Sequence, residues 1–200
     1  DDTDAVERMM IQYGTSFAYP ISSIGAHVSA CPNHQLKRMT PLNTRFNVAC
    51  FGAFGYEMDL SKLSEEEAEE IRQQVVFMKQ YRHLIQYGTF YRLVSPFEGN
   101  TMAWMVVSSD QKHAIVGYYK ILQRVMAPFQ RLYLQGLDPD KKYRINASKE
   151  GLYGDELMSC GMVVSDASCG ENEEVYNGRN GDFQSRLYVL ESEEESNEKI

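Results

Sequence analysis

Between residues 1 and 88 the hydrophobic positions recur mainly at helical spacing. Val6, Met9, Met10 and Tyr13 mark one face of a helix, and Gly14 is a natural stop for it. Asp4 and Glu7 have the spacing of a capping box, Asp4 accepting from early backbone amides and Glu7 reaching back. A longer helix is announced by SEEEAEEIRQQVVFMKQYRHLIQYG. Ser64 and Glu67 form a second box, and glutamates sit where the helix dipole favours negative charge. Ile71, Val75, Met78 and Ile85 share a face, and Gly88 follows the last turn. Between the two helices, NVACFGAFGYEMDL (47–60) is nearly continuously apolar and broken by glycines. That pattern predicts a strand buried on both sides, as in a parallel sheet. Helix, strand, helix in this order predicts the tail of an α/β fold.

From Thr89 the pattern shortens. TFYRLV, MAWMVV, HAIVGYYKIL, RLYLQGL, KYRINA and SRLYVL are rich in Val, Ile, Tyr and Phe, and turn signals such as EGN, SSDQ and DPDK separate them. They predict an antiparallel β-sandwich. The expected organisation is therefore α/β followed by all-β, with residues 1–88 in the first part and 89–190 in the second. Residues 191–200, ESEEESNEKI, read as an acidic tail or linker.

Composition narrows the function classes. A hydrophobic content of 43% with 12% aromatics is that of a chain able to bury a core. A net charge of −8 argues against nucleic acid or an anionic membrane surface as partner. No apolar run within these residues reaches membrane-spanning length, and none of them is expected to be a signal peptide. Cys31, Cys50, Cys160 and Cys169 are irregularly spaced without a CxxC pair, so neither a metal site nor a cofactor is expected, and a reduced cytoplasmic protein is.

The candidate chemistry lies mostly in the first part. In a barrel, side chains just before a helix sit on the face where such enzymes keep their active sites. Asp4 is occupied by the cap, whereas Asp1 and Asp2 lie further back, towards the end of the preceding strand. A carboxylate there can act as general acid or base when its surroundings raise its pKa. Glu57 and Asp59 stand near the end of the predicted strand and, two apart, face the same way, towards the active-site mouth or into structural hydrogen bonds. His27, Asn33 and His34 suggest a catalytic or metal cluster. His83 and His113 read as surface or boundary residues, and Trp104 as core rather than a sugar platform. Cys31 has no activating neighbour in sequence. GRNGDF (178–183) lacks the strand and helix of a phosphate loop and reads as a hairpin.

Several blocks, in order, carry a resemblance: DDTDAVERMMIQYGTSFAYP, GAHVSACPNHQ, TPLNTRFNVACFGAFGYEMDL, YRLVSPFEGN and LQGLDPDKKYRI. Together they resemble the family 36 glycoside hydrolases, the bacterial and fungal α-galactosidases. That resemblance implies the C-terminal end of a (β/α)8 barrel followed by a C-terminal β-sandwich. It also implies retaining hydrolysis of terminal α-linked galactose, as in melibiose and raffinose-type oligosaccharides, by two carboxylates. The family acid/base is the first Asp of a Ser-Asp-Asp-Thr-Asp-Ala pattern. Carried over without its Ser, this is Asp1, which would touch the substrate, with Asp2 as second choice. It gives the HVSACPNHQ stretch no catalytic role, which favours a loop packed over the barrel.

The nucleophile's Lys-Trp-Asp motif does not occur in these residues, nor does the Cys- and Gly-rich substrate loop, so the segment alone is expected to be inactive. A homotetramer acting on a small α-galactoside is implied as well. The alternatives are a non-catalytic β-sandwich module binding carbohydrate or protein, and a galactosyl-transferring relative. By itself the segment is also expected to expose its apolar NVACFGAFGY run and aggregate.

Overall fold

A computed structural model describes residues 2–125, 130–164 and 181–193. The first part opens with helix α1 (Ala5–Thr15), then strand β1 (Gly25–Ser29), helix α2 (Leu42–Ala49), strand β2 (Ala53–Glu57) and the long helix α3 (Glu65–Tyr87). Asp4 caps α1 by accepting from the Glu7 amide at 2.9 Å. The reciprocal half of the expected box is not made by Glu7, because the Asp2 carboxylate accepts the Asp4 amide at 2.7 Å. Helix α3 carries its full capping box, with Glu67 N donating to Ser64 Oγ and Ser64 N to Glu67. Replacing Ser64 by Ala should therefore lower stability by about 1 kcal/mol, read from the urea midpoint at constant slope.

β1 and β2 pair in parallel, Gly25 opposite Ala53 through Ser29 opposite Glu57. Ala26, Val28, Phe54 and Tyr56 join the apolar core against the helices. The alternate residues Gly25, His27, Ser29, Gly55 and Glu57 occupy the other face. A Cβ on Gly52 would stand 2.7 Å from both Ala26 Cβ and the Ile24 carbonyl, so only glycine lets the chain enter β2 this close to β1.

The predicted strand over 47–60 is thus half wrong. Its first residues complete α2, and only Ala53–Glu57 are strand. The apolar run is continuous because α2 is buried nearly all round. Its polar positions are satisfied in the interior: Asn47 Nδ2 donates to Ser185 Oγ at 2.8 Å, and Ser185 Oγ bonds Thr44 Oγ1 at 2.9 Å. Val48, Ala49, Cys50 and Phe51 are at most 1% exposed, so the stretch expected to be an aggregation hazard is covered within this chain, while β2 keeps an open face. Burial pushes the Cys50 thiol far above its ordinary pKa. In the folded protein at pH 8, a thiol reagent should reach exposed Cys160 and half-buried Cys31 while Cys50 reacts only on unfolding, which mass mapping of the labelled peptides would check.

The second part is built on one six-stranded antiparallel sheet. In spatial order it runs β3 (Thr89–Val94), β4 (Thr101–Val107), β5 (His113–Lys120), β10 (Gln184–Ser192), β7 (Lys142–Ile145) and β8 (Leu152–Tyr153). Its two faces serve two cores. Met102, Trp104, Val106, Ile115 and Tyr119 pack against the helices of the first part. Ala103, Met105, Val107, Val116 and Tyr118 face the opposite layer. Among the described residues that layer is the short pair β6 (Arg131–Leu132) and β9 (Met162–Val163), with helix α4 (Gly154–Ser159). Where a sandwich is expected, the described residues form one broad antiparallel sheet with a small, partly helical cover. His83 lies exposed on α3 and His113 begins β5, as read from the sequence. Residues 178–180 of GRNGDF and 194–200 of the acidic tail lie outside the described residues.

Candidate active site

Asp1 lies outside the described residues, so the site is built from Asp2 onward. The loop ahead of α1 is held by the loop that follows β1, which places it at the carboxyl ends of the two parallel strands. Asn33 Nδ2 donates to Thr3 Oγ1 at 3.0 Å, and His34 Nδ1 lies 3.3 Å from the same hydroxyl. Asn33 Oδ1 accepts the Gln35 and Leu36 amides, both at 2.9 Å, forming the turn that aims its amide. Arg38 reaches across to buried Asp4 and stands 3.8 Å from Glu7. Arg45, 5% exposed, braces the loop at both ends, donating from Nη1 to the Ser29 carbonyl at 2.7 Å and from Nε to Thr40 at 3.1 Å. Burial lowers the pKa of this guanidinium, with nearby carboxylates opposing that shift.

The three residues read as a cluster part company. Asn33 and His34 clamp the Asp2–Asp4 loop. His27 is a strand residue of β1, with Nδ1 3.2 Å from an Arg8 nitrogen and 3.6 Å from Glu57 Oε2. Glu57 and Asp59 also separate. Glu57, 52% exposed, ends β2 and faces His27, whereas Asp59 caps a short 3-10 turn, accepting from the Ser61 amide and hydroxyl and pairing with Lys62. Serine and lysine hold the Asp59 carboxyl below its usual range. It is therefore a loop-capping residue.

Arg8 is a buried charge near this loop that sequence reading passed over. It sits one turn into α1, only 3% exposed, and donates from Nη1 to the Gly25 carbonyl at 3.3 Å. Desolvation lowers its pKa, while the charges of Glu57 and Asp2 raise it. A signal existed: Arg8 and Gln12, four apart, share the buried flank of α1 beside Val6 and Met9. Gln12 Nε2 donates to the Val48 carbonyl at 3.1 Å, tying α1 to α2.

Cys31 has Met39 Sδ at 3.9 Å as its neighbour. Among the described residues there is no group of three or more His, Cys, Asp or Glu side chains that could hold a metal, and no helix long and apolar enough to cross a membrane. Trp104 is wholly buried against Phe51, Phe90 and Tyr119.

The chain matches two family models, Melibiase over residues 1–88 and the glycosyl hydrolase family 36 C-terminal domain over 101–190. It is 54% identical over 165 residues to the α-galactosidase AgaA of Geobacillus stearothermophilus, covering 82% of this chain and 22% of the relative. With the α-galactosidase Mel36A of Lactobacillus acidophilus it shares 44% identity over 162 residues, 81% of this chain and 22% of that protein. The crystal structure of the α-galactosidase AgaB from Geobacillus stearothermophilus superposes with a TM-score of 0.87 at 49% identity, over 96% of this chain and 25% of that one. A variant of AgaA in complex with raffinose superposes with a TM-score of 0.86 at 47% identity and the same coverage. The chain thus spans about a quarter or less of the relatives it matches.

Proposed function

Since the chain belongs to glycoside hydrolase family 36, we propose that it supplies the acid/base side of a retaining α-galactosidase whose nucleophile lies outside these residues. In this reading residues 1–88 are the end of the catalytic barrel, residues 89–190 the C-terminal β-domain and 191–200 a tail. The chain alone is inactive, because the double displacement needs a second carboxylate on the other side of the anomeric carbon. Asp1 protonates the departing glycosidic oxygen and then takes a proton from water, with Asp2 the alternative. The substrates are small galactosides of the melibiose and raffinose type, in keeping with the raffinose held by the AgaA variant.

The observation that carries this reading is where the Asp2–Asp4 loop sits. It is locked by Asn33 and Arg38 onto the loop that follows β1. That is the carboxyl end of the parallel strands, the end at which barrel enzymes do their chemistry. Asp4 is committed to the helix cap and to Arg38, and Asp2 Oδ1 accepts the Asp4 amide, which is in keeping with Asp1 as the carboxylate that meets the substrate.

A purely binding β-module is less well supported. The aromatics Trp104, Tyr119 and Tyr143 are turned inward, so these strands present no row of sugar platforms. A cytoplasmic enzyme is in keeping with Cys31, Cys50 and Cys160 as free thiols, and assembly into homo-oligomers with its family membership. The reading is tested by galactose release from raffinose in the full-length enzyme carrying Asp1→Asn or Asp2→Asn. Loss confined to Asp2→Asn moves the acid role to Asp2, and loss in neither removes the role from this loop.

A further inference from the structure

The loop ahead of α1 and the start of β10 meet at one side chain, Arg38. It lies in the loop between β1 and α2, where it grips buried Asp4 and stands 3.8 Å from Glu7. Its own carbonyl accepts the Asn33 amide at 3.0 Å. The arginine that holds Asp4 and the asparagine that holds Thr3 are therefore two ends of one turn. The guanidinium also has an aromatic partner from the second part of the chain. Its carbon lies over the Phe183 ring, 5.2 Å from the centroid, within the range at which an aromatic face attracts a cation.

Phe183 reaches that place through an unusual backbone. It stands immediately before β10 with φ at +59°, in the left-handed region that bulky side chains rarely adopt. Its amide donates to the Ile121 carbonyl at 3.0 Å, and the Gln123 amide donates to the neighbouring Asp182 Oδ1 at 2.7 Å. Two residues further on, Ser185 bonds Thr44 and Asn47 of α2. A sparsely populated conformation, held by bonds on both sides, points to a use for the side chain that it aims.

We propose that Phe183 is a positioning residue for the acid-bearing loop: its ring keeps the Arg38 guanidinium on Asp4, so the β-domain helps to set the geometry of residues 2–4. This rests on the acid/base reading above, but not on which carboxylate of the loop is the acid. A planar guanidinium can lie flat on a ring while its edge still donates to a carboxylate. Without the ring, Arg38 has water and a second anion, Glu7, to turn to. Asp4 is 2% exposed, and a carboxylate so buried depends on its partner.

A loop that shifts by a fraction of an ångström should lose rate more than ground-state binding. Phe183→Leu keeps apolar bulk without an aromatic face and should lower kcat on raffinose roughly 3–10-fold, with KM little changed. Phe183→Tyr keeps the face and should recover most of that loss. Arg38→Met removes the partner of Asp4 and should cost on the order of 10–100-fold. Added to Arg38→Met, Phe183→Leu should cost almost nothing more, because its effect passes through the cation.

The experiment measures kcat and KM for raffinose in the full-length enzyme for these variants and the double variant. Non-additive losses in kcat, with recovery in Phe183→Tyr, support the proposal. Losses that multiply in the double variant, a change confined to KM, or equal losses in Phe183→Tyr and Phe183→Leu overturn it and leave Phe183 a packing residue. Should Arg38→Met fail to fold, the contrast between leucine and tyrosine at position 183 still decides. Full activity in both Asp1→Asn and Asp2→Asn overturns the underlying reading. Loss in either of those, with Phe183→Leu at the wild-type rate, overturns the Phe183 role alone.

Discussion

Replacing Asp1 by Asn in the full-length enzyme is expected to slow raffinose hydrolysis by about 10²–10⁴-fold, the usual contribution of a positioned general acid. That corresponds to about 3–5 kcal/mol of transition-state stabilisation. The loss should depend on the leaving group. Raffinose releases a sugar alkoxide that must be protonated as it departs, whereas an activated aryl galactoside leaves as a stabilised phenolate and needs little help. With the aryl substrate the first step survives and the second, lacking its general base, becomes slow. The glycosyl-enzyme should then accumulate and show as a burst of phenolate. A small anionic nucleophile such as azide needs no base and should restore turnover on the aryl substrate. Asp2→Asn is the control with a clear geometry. Its side-chain oxygen can still accept the Asp4 amide, so the turn ahead of α1 survives and only charge is removed. Equal losses on raffinose and on the aryl substrate would argue against an acid at position 1.

The second large effect concerns the joint between the two parts of the chain. Trp104→Ala is expected to cost about 3–5 kcal/mol of stability, enough to remove most of the margin of an ordinary domain. Trp104 is wholly buried and lies 5.3–5.7 Å, centroid to centroid, from Phe51, Phe90 and Tyr119. Its indole N–H donates to the Tyr119 hydroxyl at 3.0 Å, which in turn donates to the Asn47 carbonyl of α2 at 2.5 Å. Truncation therefore opens a cavity and strands a buried network that ties the sheet to α2. Trp104→Phe keeps a ring and loses the donor, and should fall between wild type and Trp104→Ala. Urea unfolding followed by circular dichroism measures both, since the wild type has no other tryptophan to report by fluorescence. Midpoints within about 0.5 kcal/mol of wild type for both variants would mean that the joint does not depend on this side chain.

Several features were legible in the sequence because they are decided within a few residues of chain. The Ser64–Glu67 box, the start and stop of α3 and the strands at 89–94, 101–107 and 113–120 follow from capping chemistry and local hydrophobic period. The ordered blocks between residues 1 and 145 likewise carried the resemblance to the family. What the sequence left undecided depends on partners far along the chain. The run at 47–60 is apolar as a buried strand would be, yet its first part is helical. The polar positions that look out of place in such a helix, Thr44 and Asn47, find their partner in Ser185 near the end of the chain. His27, Asn33 and His34 are close in sequence, but strand pairing sends His27 to Glu57 while loop closure sends the other two to Thr3. Arg8 looks like a surface charge on an amphipathic helix. Only the docking of α1 on β1 buries it and brings its guanidinium to the Gly25 carbonyl and the His27 ring. Local pattern determined the elements and the family of this protein. The tertiary structure decided which side chains share an environment, because charge and hydrogen bonding act through space and not along the chain.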